Sequence, residues 1–343
     1  MNITRMGIDL AKNVFQLHGV DAKENVVIRK QLKRSQLLSF FVNKPPMLIG
    51  MEACGGAHHW ARELTRMGHT VKLMPPQHVK AYVKSQKNDQ RDAEAICEAV
   101  SRPTMRFVEI KSIEQQDMQA VHRVRERLIK ARTALSNEIR GLLAEYGVII
   151  VYAGIPATQR GVRAAIEDAD NGISYSMREL LCEMSDELTE LSEKIQRSDE
   201  KIQRHAQEDE RVKRLLAIEG IGPISASAIV TAIGNGTQFK NGRELAAWMG
   251  LVPTQHSSGG KERLGGISKR GDKRLRTLII HGARAVIRFC ENKTDARSQW
   301  VKSLISRRNK NIATVGLANK NARIIWSLLA HNEVYRPAVA IEA

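Results

Sequence analysis

The sequence predicts an α/β fold for the first 110 residues and a mostly helical fold for the remainder. Two observations support this division: short β-branched or alternating runs separated by helical patterns fill the first part, and apolar residues recur every three or four positions in the second. A length of 343 residues suits two or three domains of roughly 100 to 200 residues each. We predict three, at 1–110, 111–210 and 211–343.

The first domain is predicted to contain four strands and three helices. The strands cover 6–18, 26–32, 47–51 and 70–74, and the helices cover 35–42, 57–67 and 89–101. A polar stretch at 21–25 indicates a hairpin between the first two strands, and Pro75-Pro76 ends the fourth. This order of elements is that of a ribonuclease H-like sheet as much as of a doubly wound sheet.

Two long helices are predicted next, over 112–146 and 176–205. Apolar residues lie three or four positions apart in the first: Met118, Val121, Val124, Leu128, Ala131, Leu135, Ile139 and Leu142. The second is compatible with an antiparallel coiled coil against the first. Residues 178–210 hold 11 acidic and 5 basic side chains, which favours a solvated spacer or dimerisation arm over a phosphate-binding surface.

The charge of the chain indicates a polyanionic partner. Lys and Arg total 54 against 37 Asp and Glu, for a net charge of +17. Residues 254–323 contain 17 of the Lys and Arg residues and only 4 Asp and Glu residues. Most of the excess positive charge is therefore concentrated in this segment. No run of about 20 apolar residues and no signal sequence is present, which argues against a membrane or secreted protein and favours the cytoplasm. Four dispersed cysteines without a CxxC pair indicate neither a disulfide framework nor a zinc knuckle.

Four acids in the first domain form a candidate Mg²⁺ site. Asp9 lies inside an apolar strand, where an uncompensated carboxylate is costly, and Glu52 follows a second apolar run. Asp89 and Asp92 lie one turn apart at the start of a helix. Carboxylate oxygens suit Mg²⁺, and paired ions support phosphoryl transfer.

Each of these acids also has a structural interpretation. Glu52 can cap the helix that follows it, and Asp89 can be the N-cap of its own helix. The Gly-Ile-Asp-Leu start also occurs in actin-like ATPases, but Ala11-Lys12-Asn13 lacks the small residues of their phosphate loop. Cys54, His58 and His59 lie near Glu52 without a second zinc-ligand pair, so we expect a buried thiol and two histidines on a helix surface.

Two further segments suggest contact with phosphates. Gly220-Ile221-Gly222 between two short helices has the pattern of a helix-hairpin-helix, whose glycines let backbone N–H groups approach a phosphate. A glycine-rich corner used only for packing is the alternative.

The second segment is Ser257-Ser258-Gly259-Gly260, which has the composition of a flexible exposed loop. Ser258 is followed closely by seven cations: Lys261, Arg263, Lys269, Arg270, Lys273, Arg274 and Arg276. A serine hydroxyl among cations can attack a phosphate and hold a DNA end as a phosphoserine ester. A helix over 273–290 follows, with an N-terminus suited to phosphate contact.

The ordered set of motifs resembles the DEDD-type insertion-sequence transposases. These transposases are related to the Piv invertases and are also known as bridge-RNA-guided recombinases. The motifs are Gly-Ile-Asp-x-Ala-Lys, Met-Glu-Ala-Cys-Gly-Gly, Lys-Asn-Asp-x-x-Asp-Ala from residue 87, Gly-Ile-Gly, Gly-Leu-Val-Pro, Ser-Ser-Gly-Gly-Lys and Ile-Ser-Lys-x-Gly. They extend from residue 6 to about residue 288.

The resemblance implies a RuvC-like domain with the acidic tetrad Asp9, Glu52, Asp89 and Asp92, a helical coiled-coil insert, and a C-terminal transposase domain. Ser258 corresponds to the family's nucleophilic serine, although Ser257 is its immediate neighbour. The resemblance also implies homodimers or homotetramers, donor and target DNA as substrates, and a structured bridge RNA as guide. From the residues alone, a metal-only nuclease of the Holliday-junction resolvase kind and a non-catalytic nucleic-acid scaffold stay open.

Overall fold

The computed structural model describes residues 2–83 and 88–336, so Lys87 of the predicted acidic motif lies outside the described residues. The described residues form two compact units, divided between residues 112 and 113. Within the described ranges, no helix is both long and apolar enough to span a bilayer.

The first unit is built on a five-stranded sheet with the order β3-β2-β1-β4-β5. Its strands are β1 Arg5–Leu10, β2 Val14–Val20, β3 Val26–Lys33, β4 Leu48–Glu52 and β5 Thr70–Met74. The first three are antiparallel neighbours, whereas β4 pairs in parallel with β1 and β5 with β4. A mixed α/β fold is thus confirmed.

The first predicted strand, 6–18, is wrong in one respect, because it is two strands. The chain reverses at Ala11-Lys12-Asn13, where the Ala11 N–H donates to the Val14 carbonyl at 3.2 Å, and β2 returns antiparallel to β1. The predicted hairpin at 21–25 is confirmed, since β2 and β3 pair antiparallel on either side of it.

Helices cover both faces of this sheet. They are α1 Leu37–Phe41, α2 Ala57–Arg66, α3 Pro76–Val79 and α4 Asp89–Ala99, with 3₁₀ turns at Arg34–Gln36 and Lys80–Tyr82. The apolar side of α2, including Trp60 and Leu64, packs with α1 and the sheet residues Phe15 and Ile49 in one core. Ile96 of α4 belongs to a separate core on the other face.

The second unit is helical apart from one β-ribbon. Its helices are α5 Ile113–Glu145, α6 Ile155–Glu167, α7 Tyr175–Glu208, α8 Glu210–Leu216, α9 Pro223–Ile233, α10 Gly242–Trp248, α11 Lys273–Phe289, α12 Ala296–Arg307 and α13 Lys310–Ala330. The ribbon pairs β6 Pro253–Gln255 with β7 Leu264–Ile267. The predicted boundary at residue 210 falls inside this unit and stays a prediction.

The two longest helices, α5 and α7, lie antiparallel. Arg125 forms an ion pair with Asp199 at 2.5 Å, and Arg132 donates to Ser192 at 3.3 Å, so residue numbers rise along one helix as they fall along the other. Apolar side chains such as Leu188 form the seam between them. Both predicted long helices are present to within about one turn, and the coiled-coil geometry stays a prediction.

A buried polar network joins α5, α7 and α9. The hydroxyl of Ser227, which is fully buried, lies 2.9 Å from His122 Nε2 and 2.9 Å from His205 Nδ1. Burial, together with the charges of Arg274 and Arg125, lowers the pKa of His122 to about 3. The folded state therefore favours the neutral form of His122.

We expect this histidine to make the second unit sensitive to mild acid. The pKa of His122 is lower in the folded protein than in the unfolded chain. The contribution of His122 to the free energy of unfolding is therefore constant above about pH 6.5 and declines as the pH falls toward 3. At pH 5 this corresponds to a loss of about 2 kcal/mol of unfolding free energy. Urea unfolding at pH 7 and pH 5 measures the loss, and His122→Gln should remove most of it. An equal pH dependence in that variant would contradict the assignment.

Candidate metal and phosphoryl-transfer site

The parallel pairing of β1 and β4 places two predicted acids side by side. Ile8 is opposite Met51 in the register of these strands, so the next residues, Asp9 and Glu52, are neighbours at the carboxyl end of the sheet. Both flanking apolar side chains are fully buried, whereas both acids are partly exposed. The strands therefore end where their carboxylates emerge from the core.

A glycine in β1 lets helix α4 lie directly on the sheet. A Cβ at Gly7 would be 2.2 Å from the carbonyl oxygen of Ala93 and 2.4 Å from the amide nitrogen of Cys97. Because side chains alternate along a strand, Asp9 faces α4 as Gly7 does. A Cβ at Gly50 of β4 would be 2.8 Å from the Cβ of Val100, the residue that follows α4, which puts Glu52 on that face too. The sequence offered a signal that we missed, since a glycine inside a strand often marks a close backbone approach.

The first turn of α4 supplies the other two acids. The N-cap is Asn88, whose side chain accepts a hydrogen bond from the Gln90 N–H at 3.0 Å. The alternative in which Asp89 caps the helix is therefore wrong, because Asn88 already fills that role. Asp89 and Asp92 lie within the first turn, one turn apart on the same side of the helix.

Three of the four predicted acids meet in space. Carboxylate oxygens of Asp9, Asp89 and Asp92 all lie within 4.8 Å of one another. Oxygens bound to one Mg²⁺ at about 2.1 Å are at most about 4.2 Å apart, so a small side-chain adjustment would bring the three onto one ion. Glu52 is outside this triplet and lies beside it in the sheet register. The donor set, which is all oxygen and anionic, fits a hard divalent cation.

Two of the acids act electrostatically on a neighbouring thiol. The pKa of the Cys54 thiol is raised by burial first, then by the negative charges of Glu52 and Asp9, so both acids lie close enough to act on it.

The residues beside Glu52 do not form a second metal site within the described ranges. Cys54 is half-buried rather than buried, and His59 is exposed. His58 is half-buried rather than on the surface, because its Nδ1 accepts a hydrogen bond from the Lys111 N–H at 3.2 Å. Burial and the nearby charges of Lys111 and Arg62 lower its pKa to about 4, so it is a neutral structural contact.

We expect Gly7→Ala to destabilise the first unit and to move α4 away from Asp9. The new methyl would overlap backbone atoms of α4, and overpacking of this kind typically costs about 1 to 3 kcal/mol. Urea unfolding measures this cost. Gly141→Ala is the control, because a Cβ there meets nothing within 4 Å and alanine favours the interior of α5 by up to about 1 kcal/mol. Equal stability of the two variants would refute the tight contact.

The predicted serine loop has the geometry of a β-hairpin and is exposed, as predicted; its flexibility stays a prediction. It extends the ribbon of β6 and β7 through an isolated bridge between Ser258 and Lys261. Gly259 and Gly260 occupy the turn with φ values of +57° and +76°, as a type I′ hairpin turn requires. The turn thus places Ser258 at the exposed tip of the ribbon.

The two serines of the hairpin differ in their hydrogen bonds. The Ser257 hydroxyl accepts from Gln255 Nε2 at 3.0 Å and from the Arg263 N–H at 3.3 Å. Over the described part of the chain, the Ser258 hydroxyl has no such contact, and its residue is exposed. Ser257 therefore stabilises the hairpin, while Ser258 presents its oxygen to solvent.

The predicted cations around the serine divide into two groups. Five are exposed: Lys261, Arg263, Lys269, Arg270 and Lys273. Arg274 is half-buried, with a pKa lowered by burial. Arg276 is buried and donates to the carbonyls of Met249 and Arg270 at 3.2 and 3.4 Å, so its guanidinium holds the base of the ribbon.

The predicted glycine turn, Gly220-Ile221-Gly222, joins α8 to α9. Gly220 has φ +83°, and its Cβ position would be 2.6 Å from the carbonyl oxygen of Gly282 in α11. Its lack of a side chain serves packing, as in the alternative interpretation. Gly222, by contrast, is exposed at the N-cap of α9, with open space around its Cβ position.

The N-terminus of α11, predicted to suit a phosphate, carries an acidic cap. Asp272 accepts a hydrogen bond from the Leu275 N–H at 3.0 Å. A carboxylate already satisfies this helix end. The helix itself, Lys273–Phe289, agrees with the prediction.

Several known proteins with similar sequences are named as transposases. Residues 212–299 match the Transposase IS116/IS110/IS902 family, and residues 6–148 match a family of DEDD transposases of the IS110 type. A probable family 20 transposase of Pseudomonas aeruginosa is 58% identical over 337 residues, which is 98% of this chain and 100% of that protein. The transposase of insertion sequence element IS1111A from Coxiella burnetii is 47% identical, over 98% of this chain and 92% of that protein.

A more distant relative is named for gene inversion. The pilin gene-inverting protein of Moraxella bovis is 23% identical over 359 residues, covering 98% of both chains. The similarity is too low to confirm the predicted relation to the Piv invertases. The two family matches and the long alignments at 47% and 58% identity decide the assignment. The chain belongs to the IS116/IS110/IS902 family of insertion-sequence transposases.

Proposed function

We propose that this transposase is a Mg²⁺-dependent DNA recombinase that uses Ser258 as its nucleophile and forms a covalent phosphoserine intermediate. The observation that carries the metal-dependent part is the convergence of Asp9, Asp89 and Asp92 within 4.8 Å. Glu52, their neighbour in the sheet, completes the proposed ligand set. Mg²⁺ bound there would neutralise charge that develops on phosphate oxygens during the reaction.

In the proposed reaction, Ser258 Oγ attacks the scissile phosphorus and forms a new P–O bond. The bond from phosphorus to a deoxyribose oxygen breaks, and that oxygen leaves as a hydroxyl with the proton given up by the serine. A hydroxyl of another DNA strand then attacks the phosphoserine ester, joins the strands and releases the serine. The number of phosphodiester bonds is conserved, so no external energy source is needed.

The hydrogen bonds of the hairpin support Ser258 over Ser257, and its cations support a phosphate-binding role. The Ser258 hydroxyl is exposed at the tip of the turn, whereas that of Ser257 accepts two hydrogen bonds within the ribbon. The exposed cations Lys261 and Arg263 lie on the same hairpin and can hold backbone phosphates. We extend this phosphate-binding role to Lys269, Arg270, Lys273 and the exposed N-cap Gly222. Arg274, Arg276 and Gly220 would support the surface through packing.

A DNA substrate carrying a nick that traps the covalent product tests the mechanism. Incubation with Mg²⁺ should yield a DNA–protein adduct on a denaturing gel, and a chelator should prevent its formation. Cleavage without any adduct would favour a metal-only nuclease. Metal-independent cleavage would refute the role of the acids.

We also propose a structured guide RNA and an oligomeric assembly. Aromatic residues make up only 4% of the chain while its net charge is +17, which suits backbone binding better than reading of bases by stacking. Base pairing by a guide would supply the missing sequence information. The antiparallel α5 and α7 are the proposed oligomerisation arm. Sequencing of RNA that copurifies tests the guide, and a purified protein that recombines DNA without RNA would refute it.

A further inference from the structure

A groove of about 770 Å³ lies along one side of α13 in the second unit. Its floor is a stripe of α13 residues three or four positions apart: Gly316, Asn319, Lys320, Arg323, Ile324 and Ser327. The start of α10 forms one wall, and Trp300 of α12 contributes to another. This helix, Lys310–Ala330, lies beyond residues 212–299, where the family match ends.

The walls of the groove are held at fixed distances from its floor. A Cβ at Gly242, the first residue of α10, would be 2.7 Å from Arg323 Cα, so α10 begins in direct contact with α13. Trp326 Nε1 donates to the Phe239 carbonyl at 3.1 Å, which anchors α13 to the segment before α10. The groove is therefore a formed feature of the second unit.

Three cations line the groove without any acidic residue: Arg243, Lys320 and Arg323. Within the described ranges, none of them forms an ion pair, although surface cations elsewhere in the chain, such as Lys194 and Lys293, do. Burial, followed by the charges of Arg297 and Arg323, lowers the pKa of Lys320. Cations that are crowded and partly desolvated are stabilised by a bound anion.

The aromatic wall adds apolar surface beside these cations. Lys320 Nζ lies 4.4 Å from the centre of the Trp300 ring, which holds the ammonium group at the edge of the groove. A ligand that combines regularly repeated negative charge with flat or apolar parts would match cations and an indole together. A nucleic-acid strand has this composition.

We propose that the groove formed by α10, α12 and α13 binds the sugar-phosphate backbone of a DNA strand. The proposal rests on the proposed function only in taking DNA as the ligand. It adds a second DNA-binding surface, separate in sequence from the cations that follow Ser258. Contacts of this kind fix register and affinity and do not read sequence.

The salt dependence of DNA binding by the full-length protein tests the groove. We would replace all three cations together as Arg243→Gln, Lys320→Gln and Arg323→Gln, since glutamine retains the Cβ atom, which in Arg323 lies beside Gly242 of α10. Fluorescence anisotropy with a labelled duplex of the element's end would measure affinity between about 50 and 200 mM NaCl. Three lost phosphate contacts should reduce the slope of log K against log salt by about 2.7, at about 0.9 per contact.

A matched control removes the same charge from α7: Lys194→Gln, Arg197→Gln and Lys201→Gln, all at exposed positions. This control should change the slope by less than about 1, because each replaced residue lies on the acidic helix rather than in the groove. A groove variant with the wild-type slope would overturn the proposal. So would a control variant with an equal loss, which would reveal a diffuse charge effect. The same duplex made of RNA would refute DNA as the ligand if only its binding responded to the groove variant.

Two controls distinguish a loss of DNA binding from misfolding and from a loss of cleavage. Thermal melting would report whether the triple variant folds. If the triple variant does not fold, the three single variants are measured instead, and each is expected to lower the slope by about 0.9. Binding is measured by anisotropy and requires no cleavage. If serine chemistry fails, the groove can still be confirmed, and if the groove fails, the covalent adduct can still form.

Discussion

Replacing Ser258 by alanine is expected to eliminate the covalent DNA–protein adduct and to lower strand cleavage by about 10⁶-fold, the scale of loss when an enzyme's nucleophile is removed. The exposed hydroxyl at the tip of the hairpin is the only group changed. Incubation with the trapping DNA substrate, followed by a denaturing gel, measures both adduct and cleavage.

Ser257→Ala is the matched control one residue away. It removes the acceptor for Gln255 and for the Arg263 N–H, so we expect a looser hairpin and a cleavage rate reduced by no more than about 10²-fold, as for loss of a positioning contact. If Ser257→Ala abolished the adduct and Ser258→Ala did not, the two roles would be exchanged. Normal cleavage by both variants would leave the metal-only mechanism.

The second large effect is expected from the acids. Asp92→Asn keeps the size of the side chain but removes one of three negative charges within 4.8 Å of one another. Metal-assisted charge stabilisation amounts to several kcal/mol, so we expect cleavage to fall by about 10³-fold or more. Single-turnover cleavage measured over a range of Mg²⁺ concentrations would show a loss of apparent metal affinity as well as of rate.

Glu98→Gln controls for the loss of a carboxylate from the same helix. Glu98 lies near the other end of α4 and pairs with Arg102 on the surface, and such pairs contribute at most about 1 kcal/mol. Its cleavage rate and metal dependence should match those of the wild type. An Asp92→Asn protein that retained full activity would remove the acids of α4 from the mechanism.

The sequence predicted much of the sheet because its strands are short and apolar. The strand at 70–74 agrees residue for residue with β5, and the run at 47–51 differs from β4 by one position. The turn between β1 and β2 was missed because Ala11-Lys12-Asn13 contains neither glycine nor proline to interrupt the alternation. The alternation of apolar and polar residues continues across a tight turn of this kind, so only the hydrogen-bonded pairing of β1 with β2 reveals the turn.

Some helices of the second unit were also not predicted, for other reasons. Helices α12 and α13 were not predicted, because frequent Lys and Arg residues obscure the apolar stripe of each helix. Helix α6 begins after Gly154 with a proline in its first turn, a recognised start signal that was passed over. Convergence of Asp9 with Asp89 and Asp92 was predicted from strand and helix ends, but its cause, a glycine under a helix, needs tertiary structure.

The contact at Gly7 also limits how this site can change. A side chain at position 7 would meet backbone atoms of Ala93 and Cys97, not their side chains. Shortening either of those residues would therefore create no room, and a second substitution at 93 or 97 should not rescue a Gly7 variant. Suppressor mutations would have to act outside α4 and shift the whole helix. The distance between the backbones of β1 and α4 thus sets the spacing between Asp9 and the acids of α4. Point mutations in the helix cannot readily change that distance.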